Sequence, residues 1–237
     1  MKKFTYHTFI LVFALIFSSC TFSTKGEGNI DVKEIKLNNV RQISAKGNYR
    51  LIYLYDDQNP RIIIETYKNL IDNLKIDNSG GQLSISESRN VKDTDLYNIY
   101  IYNPEIERFD LHNTVNIDVN SQLRVSKLAI TLSDDSKFLG NNIVVDELNV
   151  KISNGAKINL QGTGSKLVLS AGDESDFSAP FFNVSEARIQ LSNVATAELT
   201  VRSKLTGKIS DNSKLTLIGN PSKDIKQTDL AEINYKQ

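Results

Sequence analysis

The residues best placed for chemistry recur at a regular interval. Asp134, Asn154, Asp173, Asn193 and Asp211 each take the second position of a short pattern. Its copies are Ser133-Asp134-Asp135-Ser136-Lys137-Phe138, Ser153-Asn154-Gly155-Ala156-Lys157-Ile158, Gly172-Asp173-Glu174-Ser175-Asp176-Phe177, Ser192-Asn193-Val194-Ala195-Thr196-Ala197 and Ser210-Asp211-Asn212-Ser213-Lys214-Leu215. The formula is small, Asp/Asn, any, Ser/Ala, any, usually apolar. Carboxylates stacked in this way along one edge could ligate a cation or act as an acid/base pair on a polysaccharide. The plainer reading is conformational, because Asp and Asn tolerate the left-handed region and bond their own backbone, which suits a repeated bend. No dedicated calcium loop is present, and neither a metal nor another cofactor is expected.

Nucleophilic chemistry has few candidates. The chain has one Cys, Cys20, and two His, of which His7 lies ahead of an N-terminal apolar run. A Ser-His-Asp arrangement using His112 stays open, since its members need not be close in sequence. No G-x-S-x-G elbow occurs, and no catalytic residue is assigned. Tyrosines are concentrated between Tyr49 and Tyr102. With Ile52 and Leu54 facing inward, Tyr49, Tyr53 and Tyr55 share the outer face. With Ile99 and Ile101 inward, Tyr100 and Tyr102 point outward as well. The expectation is an outward Tyr patch suited to glycan or protein contact, with ordinary cross-strand packing as the simpler alternative.

The elements that must position these residues are short alternating runs. Leu128, Ile130 and Leu132 lead to Phe138; Leu148, Val150 and Ile152 lead to Ile158 and Leu160; Leu205 and Ile209 lead to Leu215 and Leu217. Alternation puts one face in and one face out. The copies open at Leu128, Leu148, Leu167, Ala187 and Leu205, in steps of 20, 19, 20 and 18 residues. A partial copy precedes them, Leu111 to Ile117 matching Leu132 to Phe138, so the stack is expected to begin near Ile106. The fourth copy is weakest, with Ala187 and Ala197 where others carry larger apolar residues. One coil cannot bury its apolar edge alone but a stack can, and the small Ser or Ala leaves room for the next coil. The predicted fold class is all-β, a parallel β-helix or β-solenoid-like stack of coils of roughly 20 residues, preceded by a strand-rich N-terminal part. An evenly spaced β-sandwich is the competing architecture.

The 237 residues carry 28 basic and 28 acidic side chains and no Trp. Lys2 and Lys3 precede the unbroken apolar run Phe9 to Phe17, which reaches Phe17-Ser18-Ser19-Cys20. The run is too short to span a bilayer as a helix, and the whole segment resembles a bacterial lipoprotein signal. The resemblance implies cleavage before Cys20, a diacylglycerol on its sulfur and acylation of the new amino group, with Phe17 standing where Leu is usual. Several acyl chains give stable anchoring to a membrane. Losing Lys2 and Lys3 leaves 26 basic against 28 acidic residues, a balance that argues against nucleic acid as a partner.

Residues 1–19 are therefore expected as a signal peptide, 20–29 as a flexible tether, 30–221 as the β-solenoid domain with its repeats at 106–219, and 222–237 as a C-terminal cap or tail. In the N-terminal part, Tyr49 to Tyr55 and Arg61 to Glu65 read as strands around the turn cluster Asp56-Asp57-Gln58-Asn59-Pro60. Leu70, Ile71 and Leu74 have helical spacing, and Asn78-Ser79-Gly80-Gly81 reads as a hairpin turn.

The order of these stretches resembles the auto-transporter adhesin, head GIN domain family of secreted proteins and lipoproteins from Bacteroidetes. The resemblance rests on Ile43-Ser44-Ala45-Lys46-Gly47 before Tyr49-Arg50-Leu51-Ile52-Tyr53-Leu54, then Arg61-Ile62-Ile63-Ile64-Glu65, Gly80-Gly81-Gln82-Leu83-Ser84-Ile85 and Ile99-Tyr100-Ile101-Tyr102-Asn103-Pro104. It ends with the Ser-Asp/Asn-x-Ser/Ala turns, closing at Leu217-Ile218-Gly219-Asn220-Pro221. It implies a β-solenoid-like fold and brings no catalytic residues. The expected function is that of a non-enzymatic, lipid-anchored envelope protein, at the outer membrane on either its periplasmic or its surface face. Its partners would be the membrane, through the N-terminal lipid, and a glycan or protein ligand. A carbohydrate-active enzyme using the repeat-edge carboxylates, or a structural envelope component, are the alternatives.

Overall fold

A computed structural model describes residues 23–38 and 40–236. The expected signal peptide and Cys20 lie outside the described residues. The N-terminal part runs β1 (Ile30–Lys36), β2 (Gln42–Gly47), β3 (Arg50–Leu54), β4 (Arg61–Tyr67), α1 (Lys68–Asn73), β5 (Leu74–Ser79), β6 (Gln82–Glu87) and β7 (Tyr97–Tyr102). The repeats follow as β8 (Arg108–Asn113), β9 (Asn116–Val119), β10 (Leu123–Leu132), β11 (Lys137–Ile152), β12 (Lys157–Ala171), β13 (Asp176–Leu191), β14 (Thr196–Ile209) and β15 (Lys214–Ile218). The chain closes with β16 (Ser222–Gln227) and β17 (Glu232–Lys236). From β8 onward they form a β-solenoid of about 6 turns, with coils of about 20 residues.

Each long strand bends, so one coil contributes to two walls and a narrow third side. The first wall stacks β6, β2 and β8, then the C-terminal ends of β10 to β14, then β16. The second wall stacks β7, β3 and β9, then the starts of β11 to β14, then β15 and β17. All these pairings are parallel. The register is the one the repeat spacing implies: Leu128, Leu148, Leu167, Ala187 and Leu205 face one another in successive coils and all are buried. The weak fourth copy is a matter of volume, since Ala197 lies opposite Phe177, one of the largest buried side chains. Small against large keeps the inter-coil space filled.

The stack begins earlier than Ile106. The coil β2–β3 lies directly on β8–β9, and β6–β7 lies on β2–β3. Spatial order and chain order therefore differ, because β4, α1 and β5 leave the stack to build a cap. There β4 pairs antiparallel with both β7 and β1, and β5 pairs antiparallel with β6. Antiparallel capping strands break the parallel repeat at this end of the stack. At the other end, the segment expected as cap or tail forms β16 and β17, a further coil paired with β14 and β15.

Residues 24–29 of the expected flexible tether are held against this cap. Thr24 N–H donates to Asn90 O at 2.8 Å and Lys92 N–H donates to Thr24 O at 3.0 Å. Asn69 fixes the same stretch from α1, its amide donating to Lys25 O at 2.7 Å and its carbonyl accepting from Glu27 N–H at 3.0 Å. Composition alone suggested a linker, but the polar backbone of residues 24–29 finds partners on the cap.

Beneath the cap, Glu87 ties two coils together. Its carboxylate accepts Asn48 N–H at 3.1 Å and Val91 N–H at 3.3 Å. Burial raises its pKa above the ordinary value, with both hydrogen bonds opposing. A raised carboxyl pKa gives stability that is present below the unfolded value and lost as pH rises through the folded one. The melting temperature of the wild type relative to Glu87→Gln should therefore fall as pH rises above about 4.5, read by thermal melts at several pH values.

Candidate functional site

Two lines of residues run along the solenoid where the sequence places chemistry. The first is the Asp/Asn edge between the walls. Asn113, Asp134, Asn154, Asp173, Asn193, Asp211 and Asp229 all have φ between 50° and 65°. The line thus extends one coil beyond the five expected residues at each end. Its hydrogen bonds run between coils: Asp134 Oδ2 accepts Asn113 N–H at 3.1 Å and Asp211 Oδ2 accepts Asn193 N–H at 3.1 Å. Asn193 donates its amide to Asp173 Oδ1 at 2.5 Å. The Asn193 N–H and the Ser210 hydroxyl hold the Asp211 carboxyl below its usual range. Asp134, Asp173 and Asp211 are thus engaged in tying successive bends together, and among the described residues no group of three His, Cys, Asp or Glu converges on one point.

If conformation is what this edge demands, Asn154 gives a clean test. Asn154→Ala puts an ordinary L side chain into the left-handed region and should cost about 1 kcal/mol. Asn154→Gly removes that penalty and should stay within about 0.5 kcal/mol of the wild type. Urea denaturation of both variants reads the difference.

His112 stands beside this edge. Its Nδ1 lies 2.7 Å from Ser133 Oγ, and its Nε2 lies 3.2 Å from Asp110 Oδ1. Serine, histidine and aspartate do meet here, although the serine hydroxyl is also shared with Asp134 Oδ2 at 3.2 Å. A hydroxyl hydrogen given to the carboxylate is not available to the imidazole.

The second line is the outer face of the second wall, and here the tyrosine expectation changes. Tyr49 and Tyr53 are buried, not outward. Tyr53 lies in the inward row between Ile101 and Val119, its hydroxyl donating toward Asn103 O at 2.9 Å. Tyr49 donates to Ile85 O at 2.7 Å. Burial pushes both phenols upward in pKa, which keeps them neutral donors. Both phases of Tyr49 to Tyr55 carry large apolar side chains, but Arg50 shares its phase with Ile52 and Leu54, a charge that marks that phase as outward. The partners agree: Leu51 aligns with Ile99 and Ile117, and Ile52 takes the outer face. Tyr100 and Tyr102 are half-buried on that outer face, and Tyr55 is exposed just past β3. Tyr100 donates to Glu65 Oε2 at 3.1 Å, and the Arg61 guanidinium lies 3.9 Å from the Tyr102 ring centre.

Below the tyrosines the same face becomes polar. One outward row runs Asn98, Arg50, Asn116, Lys137, Lys157, Asp176, Thr196. Beside it runs Tyr100, Ile52, Asp118, Leu139, Asn159, Ser178. Between them is an open groove of about 500 Å³. A second depression, of about 680 Å³, lies at Arg41, Glu105 and Glu107, where Arg41 already pairs with both glutamates. Sequence reading passed over Lys137 and Lys157 because they fill the second "any" position of the repeat formula. Aligning the copies puts Lys137, Lys157, Asp176, Thr196 and Lys214 in one column, which is one row of the wall.

The family model described as "Putative auto-transporter adhesin, head GIN domain" matches residues 40–221. The chain belongs to the head GIN domain family. Solved structures carry the same fold. A "putative adhesin" from Bacteroides fragilis is 14% identical, with a TM-score of 0.82 over 90% of this chain and 100% of that one. A "putative lipid binding protein" from Parabacteroides distasonis is 16% identical, with a TM-score of 0.71 over 91% and 100%. A "putative adhesin" from Parabacteroides merdae is 18% identical, with a TM-score of 0.70 over 91% and 99%. Curated proteins give no match. In this head GIN domain the family match spans the stack from β2 to β15, with the cap elements β4, α1 and β5 inside it.

Proposed function

We propose that the protein is a non-enzymatic, lipid-anchored component of the cell envelope, held through Cys20 at the outer membrane, whose solenoid binds a glycan or protein ligand. The observation that carries this reading is the outer face of the second wall. There the half-buried Tyr100 and Tyr102 share a face with a polar groove, and Tyr55 is exposed just past β3, a combination of apolar rings and hydrogen-bonding groups suited to recognition. The printed names of the solved relatives, adhesins and a lipid-binding protein, support a binding role. The pinned residues support an anchored geometry. Cys20 lies four residues before Thr24, so a lipid there would keep the capped end within about 14 Å of the bilayer surface.

The test is a glycan and matrix-protein array probed with the chain from residue 23, each hit also checked for cleavage. Saturable binding weakened by Tyr100→Ala supports the reading, and turnover of any polysaccharide refutes its non-enzymatic part. In cells, Cys20→Ala should move the protein from the membrane fraction to the soluble one. Retention in the membrane would remove the anchor from the account.

A further inference from the structure

Charge is arranged in two opposite ways on this molecule. Along the bend beside the first wall, register places Lys127 opposite Glu147, Glu147 opposite Lys166, Lys166 opposite Glu186 and Glu186 opposite Lys204. Every neighbour in that row has the other sign, as a stack of coils about 4.8 Å apart favours. On the outer face of the second wall the rule is broken. Lys137 lies directly opposite Lys157, and Arg50 precedes them in the same row with only Asn116 between.

Like charges directly opposite each other on adjacent strands destabilise the pairing. The nearby carboxylates relieve this one on one side alone. Asp118 is engaged by Arg50, whose Nε donates at 2.6 Å. Asp176 lies opposite Lys157 on its far side from Lys137 and accepts the Thr196 hydroxyl at 2.5 Å. Neither lysine has an ion-pair partner among the described residues. Both line the groove of the second wall, together with the Arg50–Asp118 pair, Asp176 and the neutral Asn116, Asn159 and Ser178, so cations outnumber carboxylates there by three to two. Lys208 also lies opposite Lys226, and Lys36 opposite Arg61, but of these pairs Lys137 and Lys157 are the ones that line the groove of the second wall, where a broken local rule points to function.

We infer that this groove binds an acidic polysaccharide lying along the solenoid axis, with its acid groups on Lys137 and Lys157. The inference rests on the binding reading above and names the ligand class. Two lysines on adjacent strands, whose backbones stack about 4.8 Å apart, face a linear polymer that carries acid groups along its length. Asn116, Asn159 and Ser178 offer neutral donors and acceptors to hydroxyls, and Leu139 offers an apolar surface to a ring face. A nucleic acid would call for a broad basic surface, whereas this chain has 28 basic and 28 acidic residues and its cationic row is short.

The experiment titrates the chain from residue 23 with polygalacturonate, alginate, chondroitin sulfate and heparin oligomers, with carboxyl-reduced polygalacturonate and with single-stranded DNA. The expected result is saturable binding of at least one acidic glycan, weakening as salt rises. Lys137→Gln/Lys157→Gln should weaken it at least about tenfold, while Lys166→Gln on the alternating edge should leave it unchanged; a tenfold loss corresponds to about 1.4 kcal/mol. Equal binding of the carboxyl-reduced polymer overturns the acidic assignment and leaves the binding module standing. Equal binding of DNA overturns selectivity for a glycan. Silence across the acidic panel overturns this inference, and the array of the preceding section then decides separately whether any ligand binds.

Discussion

Gly162→Ala should lower stability by about 3–5 kcal/mol, combining the cost of a backbone conformation reserved for glycine with that of overpacking. Gly162 has φ +141°, and a Cβ built there would meet Ile143 O at 1.9 Å. That oxygen belongs to the backbone of the preceding coil, so it cannot step aside as a flexible side chain would. Gly207, with φ +135° and Ile189 O at 1.8 Å, repeats the situation, and Gly207→Ala should behave alike. For a chain of this size the drop in melting temperature is about 10 °C. Gly172→Ala is the control, since its Cβ would meet only Ser192 Oγ at 3.4 Å, and it should change stability by less than about 0.5 kcal/mol. Differential scanning calorimetry of the three variants separates close approach between coils from a general intolerance of Ala for Gly.

Phe138→Ala should cost about 3–5 kcal/mol, the usual range for a buried aromatic truncated to a methyl. The ring is 1% exposed and sits in the inward row between Ile117 and Ile158. It meets Phe109 from the opposite wall edge to face, the centroids 5.1 Å apart and the planes at 72°. Such pairs contribute about 0.5–1.5 kcal/mol beyond area burial. Because each coil in a stack is held mainly by its neighbours, the cavity falls at the junction of the N-terminal coils with the regular repeats. The variant should therefore also broaden the denaturant transition, as two parts of the stack uncouple. Phe138→Leu, which keeps most of the volume, should cost less than about 1.5 kcal/mol and keep a single transition.

The repeats were legible because each copy solves the same local problem. The Asp/Asn position marks the left-handed bend, and the aliphatic positions mark the inward row. Aligning copies by eye therefore yields the true inter-coil register from Leu128 to Leu205. The N-terminal part was less legible for two physical reasons. Coil order there does not follow chain order, and nothing local in Gln42–Leu54 says that it will lie between β6–β7 and β8–β9. In addition, Tyr49 to Tyr55 carries large apolar side chains in both phases, and the local sign of which faces out is the single charge of Arg50, in the phase of Ile52 and Leu54; partners more than 40 residues away, such as Ile99 opposite Leu51, complete the choice. The docking of residues 24–29 on the cap was invisible for the same kind of reason: it is made by backbone groups, which composition does not record. On the groove side, Lys137 and Lys157 stood in plain view as one alignment column, and only the register shows two like charges facing each other.

The proposed binding surface is the outer face of the second wall, with the Asp/Asn edge serving as a bend. The measurement that tests this most directly is the affinity for the array ligand of the wild type, of Tyr100→Ala and of Asp173→Asn, side by side. The account predicts at least about a tenfold loss, near 1.4 kcal/mol, for Tyr100→Ala and no change for Asp173→Asn. Binding that survives Tyr100→Ala and is lost with Asp173→Asn would contradict it and move the site to the edge.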